Sequence, residues 1–262
     1  MELGLLNQCV LITGASRGIG RAAAECFASE GCRLRLVARN RAHLDATAAH
    51  LADRYGVDVQ ALALDLREPG SVEQLDRLWG HEVDVLVNNA GDMAHGSLEQ
   101  IDAQAWRTAW DLKVYGTIDL SRLLYARMKA RASGVMVNVI GISGGEMVVP
   151  SYIAGTAGNA ALDAFTRALG AASPEHGVRV VGVHPGLVAT DRQITRWQQR
   201  ALEQLGDAQR WPELTTHLPF GRMAQADEVA KAIVFLASPA ASYISGTSLS
   251  VDGGFSQRHQ AR

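Results

Sequence analysis

Short apolar runs alternate with amphipathic stretches along almost the whole chain, and this alternation limits the possible folds more than any other feature. The runs have the length and apolar content of strands, and the stretches between them repeat apolar residues at helical spacing. The predicted strands are residues 9–13, 33–38, 59–65, 83–88, 134–140, 179–184 and 248–252. The predicted helices are residues 21–30, 41–54, 71–79, 103–131, 151–172 and 225–237. Such alternation is typical of a parallel sheet with helices on both faces, whose doubly buried strands are almost continuously apolar.

The sequence predicts a single domain over residues 1–262, because no internal repeat, low-complexity tract or linker divides it. We therefore expect an α/β fold with a doubly wound parallel sheet. Residues 190–219 interrupt the alternation and mix aromatic with charged residues. Their place between the sixth strand and the last helix suits a substrate lid of one or two small helices. The alternative is a surface excursion that only packs on the domain.

Composition and charge argue against nucleic-acid binding and membrane binding. The chain is 47% hydrophobic and 20% charged, which is ordinary for a soluble globular protein. Its net charge of -2 favours neither nucleic acid nor an anionic membrane as a partner. No signal peptide or spanning apolar run is apparent, so we expect a cytoplasmic protein. The three cysteines lack metal-ligand spacing and are expected to be buried thiols, and we predict no metal site.

The stretch TGASRGIG at residues 13–20 lies between the first predicted strand and the first predicted helix. Its glycines allow a tight turn, close approach of backbone to a pyrophosphate, and close packing of the helix. The free N–H groups and positive dipole end of the helix favour an anion at this point. We therefore expect this loop to bind the phosphates of a dinucleotide. The predicted contacts are Gly14, Ser16, Arg17, Gly18, Ile19 and Gly20.

Three further motifs follow this loop: NNAG at 88–91, PGLVAT at 185–190 and SYISGTSLSVDGG at 242–254. With these four motifs in order, the chain resembles the short-chain dehydrogenase/reductase family over nearly its whole length. The resemblance implies a seven-stranded Rossmann sheet, a nicotinamide dinucleotide, a small-molecule substrate, and a homodimer or homotetramer. It also implies further cofactor contacts at Asp65, Leu66, Asn89, Ala90, Gly91, Pro185, Gly186, Val188 and Thr190.

The end of the second strand indicates which dinucleotide is bound. Sites that prefer NAD usually place an acid there to hold the ribose diol. This chain has Arg39 instead, and Arg39 with Arg17 could grip a 2′-phosphate, which suits guanidinium geometry. Either arginine could also be plain surface charge. We predict NADP(H) in preference to NAD(H).

The residues that the family uses for catalysis are changed in this chain. In the resembled family a tyrosine exchanges a proton with the substrate oxygen, and a lysine four residues later lowers the tyrosine pKa. A serine binds that oxygen, and an asparagine on the preceding long helix completes a water-linked proton path. The sequence AALDAFTRALG at 160–170 places the tyrosine position at Gly155 and the lysine position at Asn159. The serine position falls on Gly141 and the asparagine position on Lys113.

Lysine and asparagine have thus exchanged places. The helices predicted at 103–131 and 151–172 should lie side by side, so Lys113 and Asn159 would face each other across the cofactor. Only three of the 25 basic residues are lysines, and Lys113 lies in the largely apolar WDLKVYG. An idle lysine would be costly to bury there. The alternative is that Lys113 extends its ammonium to solvent.

Two hydroxyl groups near the altered positions could contact the substrate oxygen. Tyr152 lies three residues before Gly155, whose missing side chain leaves room for a phenol ring, although Tyr152 could equally pack against the lid. Ser143 lies two residues after Gly141, and its hydroxyl could bind the substrate oxygen or serve only the turn. The predicted catalytic residues are Lys113, Asn159, Tyr152 and Ser143.

Three functions agree with these observations. The first is an NADP(H)-dependent oxidoreductase that acts on an alcohol/carbonyl pair through a rearranged proton relay. The second is a non-redox enzyme, such as a lyase or isomerase, on the same scaffold. The third is a catalytically silent NADP(H)-binding sensor or partner subunit. We favour the first, because random decay would not be expected to restore the lost ammonium at its partner's position.

Overall fold

The computed structural model describes residues 2–258 and contains one seven-stranded sheet. All neighbouring strands are parallel, in the order β3-β2-β1-β4-β5-β6-β7. The strands are β1 Cys9–Thr13, β2 Arg33–Ala38, β3 Val59–Ala63, β4 Val85–Asn88, β5 Gly134–Val139, β6 Val178–Pro185 and β7 Ser248–Val251. Every predicted strand is present, with its ends shifted by at most two residues. The structure therefore confirms the doubly wound α/β fold.

Helices cover both faces of the sheet. They are α1 Gly18–Ser29, α2 Arg41–Tyr55, α3 Ser71–Trp79, α4 Ala103–Trp110, α5 Gly116–Ala130, α6 Ile153–Ala172, α7 Asp191–Leu205 and α8 Ala226–Ala237. Short 3₁₀ segments occur at Ser173–His176, Ala208–Thr215, Pro219–Gly221, Pro239–Ala241 and Phe255–Gln257. A short helical turn at Ile142–Gly145 follows β5.

Strand side chains alternate between two hydrophobic layers. Val10 and Ile12 of β1 pack in the layer that includes Phe27 of α1 and Ile233 of α8. Leu11 points the other way, into the layer that α3 and α5 cover. Because both faces are buried, β1 is apolar throughout apart from its last residue, as expected for a central parallel strand.

Strand β2 departs from the predicted apolar pattern. Arg35 lies in its middle and is 2% exposed. Its guanidinium contacts Glu82 at 2.7 Å and Asp58 at 2.8 Å, so this buried charge is paired on two sides. The strand tolerates an arginine there because carboxylates compensate for the loss of water.

The helix predicted at 103–131 is not continuous, which corrects the sequence prediction. A π turn at Asp111–Tyr115 separates α4 from α5, and the Gly116 N–H bonds to the Asp111 carbonyl five residues earlier. Such turns insert one residue into a helix and often occur at functional sites. Lys113 is the central residue of this turn.

The segment at 190–219 folds as α7 followed by a 3₁₀ turn, Ala208–Thr215. Trp197 of α7 forms a small apolar cluster with Leu218 and Met223, separate from the layers of the sheet. The Asp207 side chain accepts a bond from the Gln209 N–H and begins the 3₁₀ turn. One full helix and one short helix are thus present, and the lid role remains a prediction.

Within residues 2–258 no helix combines the length and the apolar character needed to cross a membrane. The same part of the chain has no cluster of three histidine, cysteine or acidic side chains placed to hold a metal ion. Cys9 and Cys32 are buried, and burial raises the pKa of each thiol to about 12.

Candidate functional site

A cleft of about 700 Å³ opens at the carboxyl ends of the strands, where the strand order reverses between β1 and β4. In open α/β sheets, ligands bind at this reversal point. Most residues predicted to bind a cofactor line the cleft: Gly14, Ser16, Arg17, Gly18, Ile19, Arg39, Leu66, Asn89, Ala90, Gly91, Pro185, Gly186, Val188 and Thr190. Lys113 and Tyr152 line it as well, whereas Gly20, Asp65, Ser143 and Asn159 do not.

The glycine loop after β1 has the shape that a dinucleotide phosphate requires. Gly14 and Gly18 have positive φ angles of 68° and 56°, which side chains rarely adopt. A Cβ at Gly14 would lie 2.9 Å from the Asn89 amide nitrogen, and one at Gly20 would overlap the Gly14 carbonyl. Helix α1 then begins without a side-chain cap or an acidic residue in its first turn. The loop and the free N–H groups of α1 therefore fit an anionic group.

Asn89 holds this loop in place. Its side-chain amide donates to the Thr13 carbonyl at 3.0 Å and to the Gly14 carbonyl at 3.3 Å. The Thr13 hydroxyl in turn accepts bonds from the Asn89 and Ala90 N–H groups, each at 3.0 Å. The end of β4 thus fixes the phosphate loop at the end of β1.

The end of β2 carries a cation that is only weakly paired. The Arg39 guanidinium lies 3.9 Å from the Asp65 carboxylate, which Arg67 binds far more closely. Hydrogen bonds from Arg67 also lower the pKa of Asp65. Because Arg67 engages Asp65, Arg39 and Arg17 remain available to an anion at this end of the cleft. Asp65, one of the cofactor contacts that the resemblance implies, lies beside the cleft rather than in its wall.

The Lys113 side chain enters the cleft. Its ammonium donates to the Ile140 carbonyl at 2.6 Å, and a Cβ at Gly91 would lie 3.0 Å from its Cδ. Burial, with a smaller contribution from Arg192, lowers the pKa of Lys113 to about 8. Lys113 therefore points inward, as one of the two sequence interpretations expects.

The Tyr152 ring occupies the space beside Gly155. A Cβ at Gly155 would overlap the Tyr152 ring, so only glycine is compatible with the ring in this place. Tyr152 precedes the first residue of α6 and has non-helical backbone angles, which aim its side chain back over the helix start. Burial raises the pKa of the Tyr152 phenol, and Arg192 and Arg196 oppose this rise.

Ser143 and Asn159 lie behind the cleft wall. The Ser143 hydroxyl is 2.6 Å from the Thr156 hydroxyl and is nearly buried, so this arrangement does not support its direct contact with a substrate. The Asn159 amide donates to the Ser143 carbonyl at 2.7 Å. Its oxygen is buried and has no hydrogen-bond donor among residues 2–258. Both residues thus shape the turn after β5, next to Gly141.

Three residues that the sequence prediction missed meet above the cleft. Arg192 and Arg196 of α7 reach the loop after β4, where Arg192 contacts Asp92 at 2.8 Å and Arg196 contacts His95 at 2.9 Å. The His95 ring lies against Tyr152, with 4.3 Å between ring centres. His95 follows the NNAG motif by a few residues. Its place after the fourth strand was the signal available in the sequence.

The parallel sheet and the glycine loop define a protein of the Rossmann type. A family model described as enoyl-(acyl carrier protein) reductase matches residues 14–256. The galactitol 2-dehydrogenase (L-tagatose-forming) of Cereibacter sphaeroides is 35% identical to this chain, and the match covers 94% of either protein. The 3-oxoacyl-acyl-carrier-protein reductase of Vibrio cholerae is 32% identical, over 96% of this chain and 98% of that protein.

Among solved structures, the L-sorbose reductase of Gluconobacter frateurii, complexed with NADPH and L-sorbose, superimposes with a TM-score of 0.90. The two sequences are 31% identical, and the superposition covers 99% of this chain and 100% of the reductase chain. These relatives are dehydrogenases and reductases. The chain belongs to the short-chain dehydrogenase/reductase family.

Proposed function

We propose that this protein is an NADP(H)-dependent oxidoreductase that interconverts an alcohol and a carbonyl compound through a rearranged proton relay. One observation carries the proposal. The Tyr152 ring fills the space beside Gly155, the position that the family resemblance gives to the tyrosine, while the Lys113 ammonium enters the same cleft. A phenol and an ammonium are thus both present, although neither comes from its usual position.

The choice of NADP(H) rests on the cations at the end of β2. Arg39 and Arg17 line the cleft there. Among residues 2–258, Asp65 is the only acid within 4.0 Å of the Arg39 guanidinium, and Arg67 engages it. A guanidinium binds a phosphate in two-point fashion, which favours a cofactor with a 2′-phosphate. The L-sorbose reductase structure, which contains NADPH, agrees with this choice.

Tyr152 is the proposed proton donor. A bound nicotinamide dinucleotide would supply the hydride for carbonyl reduction. A phenol is protonated at neutral pH, and burial raises the pKa of Tyr152 further, so Tyr152 holds a proton that it can donate to a carbonyl oxygen. The phenolate that remains carries negative charge, which Arg192 and Arg196 stabilise. In the proposal the Lys113 ammonium adds positive charge to the wall of the same cleft.

Asn159 supports the relay without contacting substrate. Its amide fixes the turn after β5 through the Ser143 carbonyl, and its buried oxygen could accept a hydrogen bond from a buried water molecule. Lys113 holds its ammonium at the Ile140 carbonyl, at the end of the same strand. In this proposal Lys113 provides the positive charge of the family's lysine, although it stands at the asparagine position. Asn159 stands at the lysine position and holds the turn after β5 in place.

Residues 190–219 form the proposed lid. Two arginines of α7 bridge the cleft to the loop after β4, at Asp92 and His95. Contacts of this kind can close a site over a small substrate and exclude water from it.

The proposal is tested by incubating the purified protein with NADPH and a carbonyl panel that includes L-sorbose, L-tagatose, aldehydes and simple ketones. We expect oxidation of NADPH with formation of an equal amount of the corresponding alcohol. Turnover of a compound without net change in NADPH would instead identify a non-redox enzyme. Tight NADPH binding without turnover of any compound would identify a silent binding protein.

A further inference from the structure

The Tyr152 ring packs against two segments of the chain. Gly155 lies beside the ring, and the His95 ring lies against it with 4.3 Å between ring centres and a tilt of 33°. The backbone joins the same two segments, because the Gly96 N–H donates to the Ser151 carbonyl at 2.9 Å. The loop after β4 therefore packs on the tyrosine through both a ring contact and a backbone bond.

His95 also contacts the proposed lid. An Arg196 N–H group lies 2.9 Å from Nε2 of His95. Burial, followed by the repulsion of Arg196 and Arg192, lowers the pKa of His95 to about 4. The ring is therefore neutral at physiological pH, and the nitrogen that faces Arg196 accepts the hydrogen bond, since a guanidinium can only donate.

Arg192 strengthens this connection. It lies one helical turn before Arg196 on α7, so the two side chains share one face of the helix. Arg192 binds Asp92, in the same loop as His95, at 2.8 Å. The charged groups that act on Tyr152 are Arg192, Arg196 and Asp92, and two of the three belong to α7.

We propose that His95 is a positioning residue, which orients the Tyr152 ring by stacking and links that orientation to the docking of α7 through Arg196. The inference rests on the proposed role of Tyr152. In this arrangement α7 brings two cations toward the phenol as it docks, and His95 contacts both the tyrosine ring and α7. The stacking and the hydrogen bond are separate contributions, and two substitutions can separate them.

The experiment compares His95→Ala with His95→Phe. The phenylalanine keeps a ring against Tyr152 but cannot accept from Arg196. With the carbonyl compound that the wild type reduces, we expect His95→Ala to lower kcat at least tenfold with little change in the NADPH Kd. His95→Phe should recover most of the lost kcat. His50→Ala, which removes an exposed histidine of α2 that lies outside the cleft wall, is the matched control and should leave kcat unchanged.

A second measurement needs no substrate. The arginines of α7 are sites for trypsin, so limited proteolysis reports how firmly the helix is docked. Both His95 variants lose the bond to Arg196 and should be cut faster within Asp191–Leu205 than the wild type. Equal cleavage rates in all three proteins would refute the link to the lid.

The outcomes distinguish this inference from the proposed function. If Tyr152→Phe abolishes turnover while His95→Ala keeps a kcat within twofold of the wild type, the inference is refuted and the role of Tyr152 stands. If Tyr152→Phe itself keeps the wild-type kcat, the role of Tyr152 is refuted, and the inference with it.

Discussion

Lys113 is a half-buried cation whose ammonium bonds to a backbone carbonyl rather than to a carboxylate. Burial disfavours its charged form, and Arg192 adds repulsion rather than relief. A lysine beside a carboxylate shows the opposite shift: the hydrogen bond with Asp227 raises the pKa of Lys231. At residue scale, Lys113 lowers the stability of the folded chain, which is a common property of residues kept for function.

The pH dependence of stability should reveal this cost. The folded pKa of Lys113, about 8, is below its ordinary value of 10.5, so its ammonium destabilises the folded protein below pH 8. As the pH rises from 8 toward 10.5, only the unfolded chain holds the proton, and the cost disappears. Relative to Lys113→Met, the wild type should gain about 2 kcal/mol of unfolding free energy between about pH 7 and about pH 9.5.

Chemical denaturation at the two pH values measures this difference. Lys129→Met is the control, because Lys129 is exposed and its removal should leave the wild-type pH dependence unchanged. A difference between wild type and Lys113→Met that stays constant with pH would show that the Lys113 pKa is not depressed.

Arg39 should determine the cofactor preference. A hydrogen bond to a charged group contributes roughly 1.5–3 kcal/mol, so Arg39→Ala should raise the KM for NADPH by roughly 10- to 100-fold. The KM for NADH should change little, because NADH has no 2′-phosphate. Arg41→Ala is the control, since Arg41 is exposed and lies outside the cleft wall. An equal rise in both KM values would contradict the role of Arg39.

At the scale of elements, the start of α6 and the loop after β4 form one packed unit around Tyr152. Helix α6 begins at Ile153, two residues later than the sequence predicts, because Tyr152 leaves helical geometry to place its ring over Gly155. The Trp110 indole of α4 donates to the Ala154 carbonyl at 3.1 Å, which ties the helix start to the π turn that carries Lys113.

The effect of Gly155→Ala on the unfolding free energy should therefore have opposite signs in the wild type and in a Tyr152→Ala variant. In the wild type the new methyl group overlaps the Tyr152 ring, and such overpacking costs roughly 1–3 kcal/mol of unfolding free energy. In a Tyr152→Ala background the ring is gone, and alanine should stabilise the helix by up to about 1 kcal/mol over glycine. A double-mutant cycle by denaturation measures both values. Destabilisation of equal size in both backgrounds would show that the ring does not fill this space.

At the scale of the whole molecule, the cleft joins strands from both halves of the sheet. Its walls come from the ends of β1, β2, β4, β5 and β6, so a ligand bound there contacts elements throughout the domain. A ligand at 100 times its Kd stabilises the folded state by about 2.7 kcal/mol. For a chain of this size the corresponding rise in Tm is roughly 5–10 °C.

The Tm measured with each dinucleotide tests which one the cleft prefers. At equal concentrations NADPH should raise the Tm by several degrees more than NADH, and Arg39→Ala should abolish most of the difference. Equal shifts from the two dinucleotides would contradict the predicted preference for NADP(H).

Sequence patterns predicted the features that depend on neighbouring residues in the chain. The seven strands, the exact limits of α3 and the glycine loop all follow from periodicity and turn chemistry within a few residues. The π turn was missed because an inserted residue leaves the apolar spacing of 103–131 almost unchanged. The contact between His95 and Arg196 joins residues 101 positions apart, and no local signal pairs a loop with a distant helix. Tyr152 was a candidate because glycine at 155 leaves space, but only the three-dimensional structure shows that the Tyr152 ring fills that space.

The rearranged relay depends above all on the Lys113 ammonium, and steady-state reduction by Lys113→Ala examines it most directly. Proton transfer and its supporting charges usually contribute between 10²- and 10⁴-fold to a rate. We expect kcat for NADPH-dependent carbonyl reduction to fall at least 100-fold, while the Kd for NADPH stays within a few-fold of the wild type. NADPH oxidation at the wild-type rate by Lys113→Ala would contradict the proposed relay.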